Sequence, residues 1–510
     1  MPATITSQFR KNNALALVAK AKPITATASG GVITYGSAEI ANTPLWIGIG
    51  KTDSWPTVSG NIIPKTPNSS LADSNAVLAN LITLNQVIAA ELMFPANLWQ
   101  SGRTYKVYDS GDDACFYATT LGSTTYYPCY INLTNDMIYL CVRSSGGVSN
   151  ITPTGSAAGV ITPVLSSSPT DGYYWAYLYT LAGGEPGKLN TSTFKPLTTL
   201  TNDSATQPKG IFLYAQPIDA TTGVSIPLNL ANVTAIMLHW TGTYKPNAGT
   251  AYISGGAISI FNTSPANRLD YAAIDLIDNA GTRIISYASI TVTMQTGHSA
   301  IAFRPVITPA DGIVSDLTKV LPCWYAGFIA EFNGADENAI DLIKTNNYSQ
   351  ISLINNPQNT NGAITPINSK NCLRYFTLSS SAGFGATAAE MKAHEDKLIY
   401  QCNSAGAITA NGAIGIIDYV IIDSASVKRV YFHQNSDVKS GSNMNMFLAG
   451  SASNYINIGN NAASPIVWTY SAIVEPEYKR GTGEVLFLEN RSEIYRANNQ
   501  SEVIKIIIQL

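Results

Sequence analysis

Charge is scarce in this 510-residue chain. Asp, Glu, Lys and Arg make up 12% of it, against about 25% in an average globular protein. The net charge is −3, and no lysine or arginine stripe runs through the sequence. An electrostatic footprint for nucleic acid or an anionic membrane is therefore missing, and solubility must come from the abundant Ser, Thr, Asn, Gly and Tyr. No apolar run reaches the roughly 18 residues of a membrane-spanning helix. The opening "MPATITSQFRKNNALALVAKAK" has only "ALALVA" as an apolar stretch, which ends in lysines and does not fit a secretory signal. On that basis the chain is expected to begin near Met1 and to be made in a cytosol.

Catalytic and metal-binding signatures are lacking too. The six cysteines, at 115, 129, 141, 323, 372 and 402, show no C-x-x-C pairing, so reduced, buried thiols are expected. The four histidines are scattered, and "HEDKL" at His394 has no second histidine for H-E-x-x-H. "GSAAG" at 155–159 places its serine wrongly for a G-x-S-x-G elbow. Gly50-Lys51-Thr52 looks like the end of a phosphate-binding loop, but the required first glycine is Leu45, and Trp55-Pro56 disfavours the helix that must follow. A strand ending in an exposed turn is expected there, with Lys51 contributing little. No internal period marks a β-helix.

What is present is β-structure. From Tyr105 onward, short segments rich in Val, Ile, Thr and Tyr are separated by Gly, Asn, Asp and Pro. "AAIDLIDNAGTRIISYASITVTM" reads as a hairpin turning at Asp278 to Gly281. "DKLIYQCNSAGAITANGAIGIIDYVIIDSASVKRVYFHQN" reads as a meander with turns at Asn403 to Gly406 and Asn411-Gly412. In "SSLADSNAVLANLITLNQVIAAELM", Val77, Leu81, Leu84, Ile88 and Leu92 recur at helical spacing, with Ser70 to cap and Pro95 beyond the end, predicting one long helix. Helices are also expected at Asn12 to Ala21, at "ADENAIDLIK" and at "FGATAAEMKAHEDKL".

Two carboxylates brought together by folding would suffice for glycoside hydrolysis, but Asp109, Asp112, Asp113 and Asp171 stand in turn-like contexts where structural roles predominate. "DGYYWAYLYTL" alternates Tyr173, Trp175, Tyr177 and Tyr179 with Tyr174, Ala176 and Leu178. A sugar-binding stripe is one reading. Because both faces are apolar, a buried strand opened by an Asp171-Gly172 turn is preferred.

Several stretches in order resemble the dimeric, β-rich wedge protein family of T-even-like contractile-tail baseplates. These are "ITSQFRKNNA", "VITYGSAEIANTPLWIGIGKTDSWP" with Gly50, Lys51 and Trp55, "FPANLWQSGRTYKVYD", "MIYLCVRSSGGVSNITPTGSA", and "DGYYWAYLYTL". "NYSQISLINNPQ" and the closing "GEVLFLENRSEIYRANNQSEVIKIIIQL" follow. Together they cover roughly half the chain, and about 205–320 and 360–480 have no counterpart. The resemblance implies a non-enzymatic virion component of the tail baseplate, assembled in the host cytoplasm. It would be a homodimer contacting other wedge proteins, with no cofactor, nucleic acid or membrane. Rival readings are a carbohydrate-binding tail fibre or adhesin and, behind it, a capsule depolymerase.

The expected fold is mainly β with a few helices (α+β), built of several antiparallel β-sandwich modules, its N-terminal domain discontinuous and closed by the C-terminal strand. Residues 1–110, 340–358 and 483–510 would form the core domain, 111–204 a β module, 205–339 an inserted β-sandwich and 359–482 a second one. "VIKIIIQL" is too apolar for a free tail and is expected to join the domain of the segments near 32–50 and 348–355. Glu489-Asn490-Arg491 is expected to form a turn before the closing strand, with Arg491 tied to a fixed partner.

Overall fold

The computed structural model describes residues 4–21, 45–51, 55–199, 313–332, 347–362, 371–378, 393–422, 428–434, 454–459 and 466–510, with short breaks inside these ranges, and the backbone of isolated strands between 211 and 307. The chain is mainly β with antiparallel sheets, as its sequence predicts. Eight strands build the core: β1 (Leu45–Gly50), β2 (Leu81–Gln86), β3 (Ala89–Pro95), β4 (Phe194–Pro196), β5 (Tyr325–Phe332), β6 (Tyr348–Asn355), β7 (Glu484–Ile494) and β8 (Glu502–Gln509). They form two four-stranded sheets, in the orders β7-β6-β1-β2 and β4-β3-β5-β8.

Period-two patterning explains how these sheets share one core. Along β1, Leu45, Ile47 and Ile49 enter the main apolar cluster, while Trp46 turns to the opposite face and packs with Leu78, Leu84 and Ile354. Along β5, Ala326, Phe328, Ala330 and Phe332 enter the same cluster. Helix α1 (Ser7–Ala21) adds Ala14, Val18 and Ala21 to it. It covers the expected Asn12 to Ala21 helix and begins five residues earlier.

The closing strand joins the core as expected, with a ladder partner drawn from a segment assigned elsewhere. Ile504 and Ile506 are buried in the main cluster together with β1 and β6 residues, and Ile508 packs against it. The ladder partner, however, is β5, paired from Tyr325↔Gln509 to Phe332↔Glu502. Residues 325–332 had been expected in the inserted 205–339 module. Their small and aromatic side chains alternate into the core, which fixes them there instead.

The long helix expected from Ser70 to Met93 is replaced by a short helix and two strands. Ser70 does cap helix α2 (Leu71–Ala79), its hydroxyl accepting from the Asp73 N–H at 3.1 Å. The helix stops at Asn80, and β2 and β3 follow. Both strands are buried almost throughout, so their apolar residues run on both faces, and such a run does not separate a helix from a central strand by period. Asn80 also explains a glycine: a Cβ on Gly50 would lie 2.2 Å from the Asn80 carbonyl oxygen, where the β1/β2 register shifts between Ile49 and Gly50.

Beyond the core, strands Ile161–Pro163, Tyr174–Thr180, Met137–Arg143 and Tyr130–Asn132 make a third four-stranded sheet. The meander expected after Asp396 is present, Leu398–Cys402 pairing with Ile414–Ile422 and that strand with Lys428–Gln434. Asn403 shapes the first turn by accepting from the Ala405 and Ala407 N–H groups at 3.0 Å each, and Gly406 takes φ +81°. The module expected as a second sandwich over 359–482 closes into a barrel, with Arg374–Leu378 bridging Lys428–Gln434 and Ile466–Val474. Closure pairs its first and last strands and so removes both edges. In the 205–339 region the expected hairpin appears as Asp275–Ile277 against Arg283–Ser286. The helices expected at 335–344 and over 384–392 lie outside the described residues, and 393–396 is a turn.

Gly50→Ala should lower stability by about 1–3 kcal/mol, the usual cost of overpacking. Gly183→Ala, at an open site, should be close to neutral in the same thermal melts. Equal melts for the two variants would remove the close approach as the reason for Gly50.

Candidate functional site

Two of the three sequence-flagged groups meet at the end of β1. Lys51 follows β1 in a left-handed conformation, φ +56°, and is 7% exposed, so it is not the exposed turn lysine the sequence suggested. Its N–H donates to the Asn80 carbonyl at 3.2 Å, and its own carbonyl accepts from the Ser349 N–H at 3.1 Å. These bonds hold the turn between two strands, and its ammonium group lies 4.6 Å from the centroid of the Trp55 ring. The Trp55 indole N–H donates to the Arg491 carbonyl at 2.9 Å. Thr52 lies outside the described residues, and among the described residues around Lys51 none forms a helix opening onto it.

Glu489-Asn490-Arg491 is not a turn. All three lie inside β7. Asn490 faces Gln350 across the ladder, accepting from its side-chain amide at 2.8 Å and donating to the Lys65 carbonyl at 2.8 Å. The irregularity that the triplet signals is a bulge: Tyr348 pairs with Ile494 but Gln350 with Asn490, so extra residues on β7 are accommodated there. Arg491 contributes through its backbone. Its guanidinium is 44% exposed and 3.9 Å from Glu489, itself 45% exposed, and an ion pair so open to water adds little.

The Asp171 group forms a separate site. One Asp171 carboxylate oxygen accepts from the Asn150 and Ile151 N–H groups at 2.8 and 3.0 Å and from the Ser149 hydroxyl at 3.2 Å. The other accepts from the Tyr173 N–H at 3.1 Å. It is a loop clasp, the structural role expected of an aspartate in a turn. Gly172 lies outside the described residues. Tyr173 and Trp175 are buried and stacked at 5.8 Å, and the Tyr173 hydroxyl donates to the Gly147 carbonyl at 2.6 Å. Tyr173, Trp175, Tyr177 and Tyr179 are thus buried and make no exposed platform. Asp109 is also buried, accepting from the Gly111 N–H at 2.9 Å, Asp113 opens a 3-10 turn, and Asp112 lies outside the described residues.

One cluster had no local signal in the sequence. In the barrel, Asp418 and His433 are both buried, with His433 Nδ1 at 2.9 and 3.0 Å from the two Asp418 oxygens. Asp418 sits at a bulge between Ile417 and Tyr419. Asp396 beside it has φ +66°. Reduced hydration, then the charges of Asp418 and Glu493, raise its carboxyl above the ordinary value, while His433 acts the other way. Only the pairing of adjacent strands unites residues 15 apart, which is why sequence spacing did not reveal it. Among the described residues, no group of three or more His, Cys, Asp or Glu is arranged to hold a metal. The six cysteines are all buried and free.

No protein-family model matches the chain, and no curated protein matches it.

Two predictions follow from this geometry. Lys51→Met, which keeps the stem but removes the charge over Trp55, should cost about 1–2 kcal/mol, whereas Arg491→Ala should stay within about 0.5 kcal/mol; urea titration of both variants checks the ranking. For Asp396, a carboxyl raised in the folded state holds its proton more tightly when folded. Its stabilising effect is complete below the unfolded pKa of about 3.9 and is lost as pH rises through the folded value. Asp396→Asn, which also tolerates positive φ, should therefore raise the melting temperature at pH 7 and lose that advantage below pH ~4. An advantage that persists unchanged in acid would refute the linkage.

Proposed function

We propose that this chain is a structural subunit of a contractile-tail baseplate wedge. It holds neighbouring wedge proteins in register and rearranges with them as a rigid body when the tail contracts. The observation carrying this reading is where the family-like segments lie. Those around residues 7–21, 45–50, 137–143, 174–180, 348–355 and 502–509 are far apart in sequence, yet all contribute buried residues to the one main cluster. Segments that define a family by order alone would have no reason to converge. Segments that build its scaffold would.

The surface chemistry fits a building block. With so few charges, contacts must rely on apolar groups and uncharged polar groups such as Tyr and Asn, as at the charge-depleted centres of stable interfaces. The partners are a second copy of the chain and other wedge proteins, in a virion tail baseplate assembled in the host cytoplasm, with no cofactor, nucleic acid or membrane. The carbohydrate-binding tail fibre or adhesin loses its main support because the Tyr173 and Trp175 rings are buried, and the depolymerase, which rested on paired carboxylates, stands behind it.

Purified protein on a sizing column with light scattering should show twice the 54.3 kDa chain mass, and a tail reconstruction should place it in the baseplate. A monomer at micromolar concentration that binds a glycan array would replace this reading with the adhesin.

A further inference from the structure

Cys115 is a buried residue of the 3-10 turn Asp113–Phe116, and Cys129 immediately precedes the strand Tyr130–Asn132. Between them runs a hairpin, Thr119–Leu121 against Thr124–Tyr127, whose tip is exposed. The Cys129 N–H donates to the Cys115 carbonyl at 2.8 Å, so the two backbones are one hydrogen bond apart. That bond brings the two residues into neighbouring positions, and disulfides join residues whose Cα atoms are about 4.4–6.8 Å apart. The two side chains are close enough to influence each other's ionisation, and the Cys115 thiol donates to the Asp109 carbonyl at 3.7 Å. Lys106 anchors the segment, its ammonium donating to the carbonyls of Ala114 and Tyr117 and to the Thr119 hydroxyl at 2.7 Å each.

We propose that Cys115 and Cys129 are a site of disulfide formation. The pair stays reduced during assembly in a cytosol and is oxidised when the protein meets a low-molecular-weight disulfide or an oxidising medium. With glutathione disulfide the step balances. The Cys115 thiol loses its proton and attacks one glutathione sulfur, expelling a glutathione thiolate. The Cys129 thiol then loses its proton and attacks the Cys115 sulfur of the mixed disulfide, expelling the second. One sulfur–sulfur bond forms in the protein, two electrons pass to the oxidant, and two glutathione thiols leave.

Burial sets the rate and the selectivity. Both sulfurs are out of water, and burial raises the Cys129 thiol well above its ordinary value, with the Lys106 charge a smaller opposing influence. Attack therefore needs the exposed 117–124 tip to open, a local event far smaller than unfolding. The remaining neighbour, Cys141, donates its N–H to the Cys129 carbonyl at 2.6 Å but belongs to the strand Met137–Arg143, paired on both sides. It moves only with the whole sheet. The bond would fasten Phe116 and Tyr117 over Trp324, against which they pack at 6.1 and 5.8 Å.

The test incubates the full-length native protein with glutathione disulfide at pH 8 and reads it by mass spectrometry. No Lys or Arg interrupts 107–143, so trypsin leaves all three cysteines in one peptide, which should become lighter by about 2 Da as two hydrogens leave. Chymotrypsin, cutting after Tyr117 and Tyr126, should leave the Cys115 and Cys129 fragments joined. Cys141→Ser should retain the change, and Cys115→Ser should abolish it. Oxidation should raise the melting temperature, with dithiothreitol reversing the shift. A Cys129–Cys141 bond, or an unchanged peptide mass after prolonged incubation, would overturn the proposal. Both readouts on unmutated protein are decisive even if a variant misfolds.

Discussion

Everything in this molecule depends on ladders between residues that are hundreds of positions apart. β1 is held on one side by β6, with Leu45 opposite Asn355 and Gly50 opposite Gln350. β5 is held between β3 and β8. Each sheet starts from one nearer pair, β1 with β2 and β3 with β4, but neither is complete until the far end of the chain arrives, because its other two strands are encoded after residue 320. Such non-local pairing is slow to form, since loop-closure entropy must be overcome before any contact is gained. The inserted modules can acquire structure earlier from their own local hairpins.

Scarcity of charge shapes how those ladders are finished. At the seam of β1, β6 and β7 the groups that settle register are amides and carbonyls. Gln350 bonds Asn490, the Ser352 hydroxyl donates to the Gly48 carbonyl at 3.3 Å, and the Ser349 hydroxyl donates to the Lys51 carbonyl at 3.2 Å. Neutral hydrogen bonds are directional and carry little cost of ionic desolvation, so they fix alignment inside a buried sheet. The buried cation Lys51 at this seam is placed over an aromatic ring.

Much of the class was legible in the sequence and much of the connectivity was not. The apolarity of "VIKIIIQL" placed β8 in the core, but apolarity carries no information about which strand lies alongside, so β5 was missed as its partner. Ser70 was legible as a cap because capping is local. The strands after Asn80 were not, because burial on both faces erases the two-residue period. Lys51 and Trp55 were legible as a turn but not as a buried one, and their partner Arg491 was misread, since Glu-Asn-Arg favours turns locally and only the ladder with Gln350 makes it a bulged strand. The Asp418–His433 pair left no trace in sequence, being created by strand register alone.

The barrel is inserted between β6 and β7, and its entry and exit points face each other. Asn355 ends one strand and Glu484 begins the next, they are opposite in the ladder, and the Asn355 side-chain amide donates to the Glu484 carboxylate at 2.8 Å across a sequence separation of 129 residues. A pull carried by the two connecting segments alone meets the β6/β7 ladder at that rung and loads it from one end, like the slider of a zip, so that hydrogen bonds yield in succession. The barrel also bears on the core from the side: Tyr419 and Tyr431 pack into the main cluster, and the Cys372 N–H donates to the Ile82 carbonyl at 2.9 Å. Those contacts share any load with the rung.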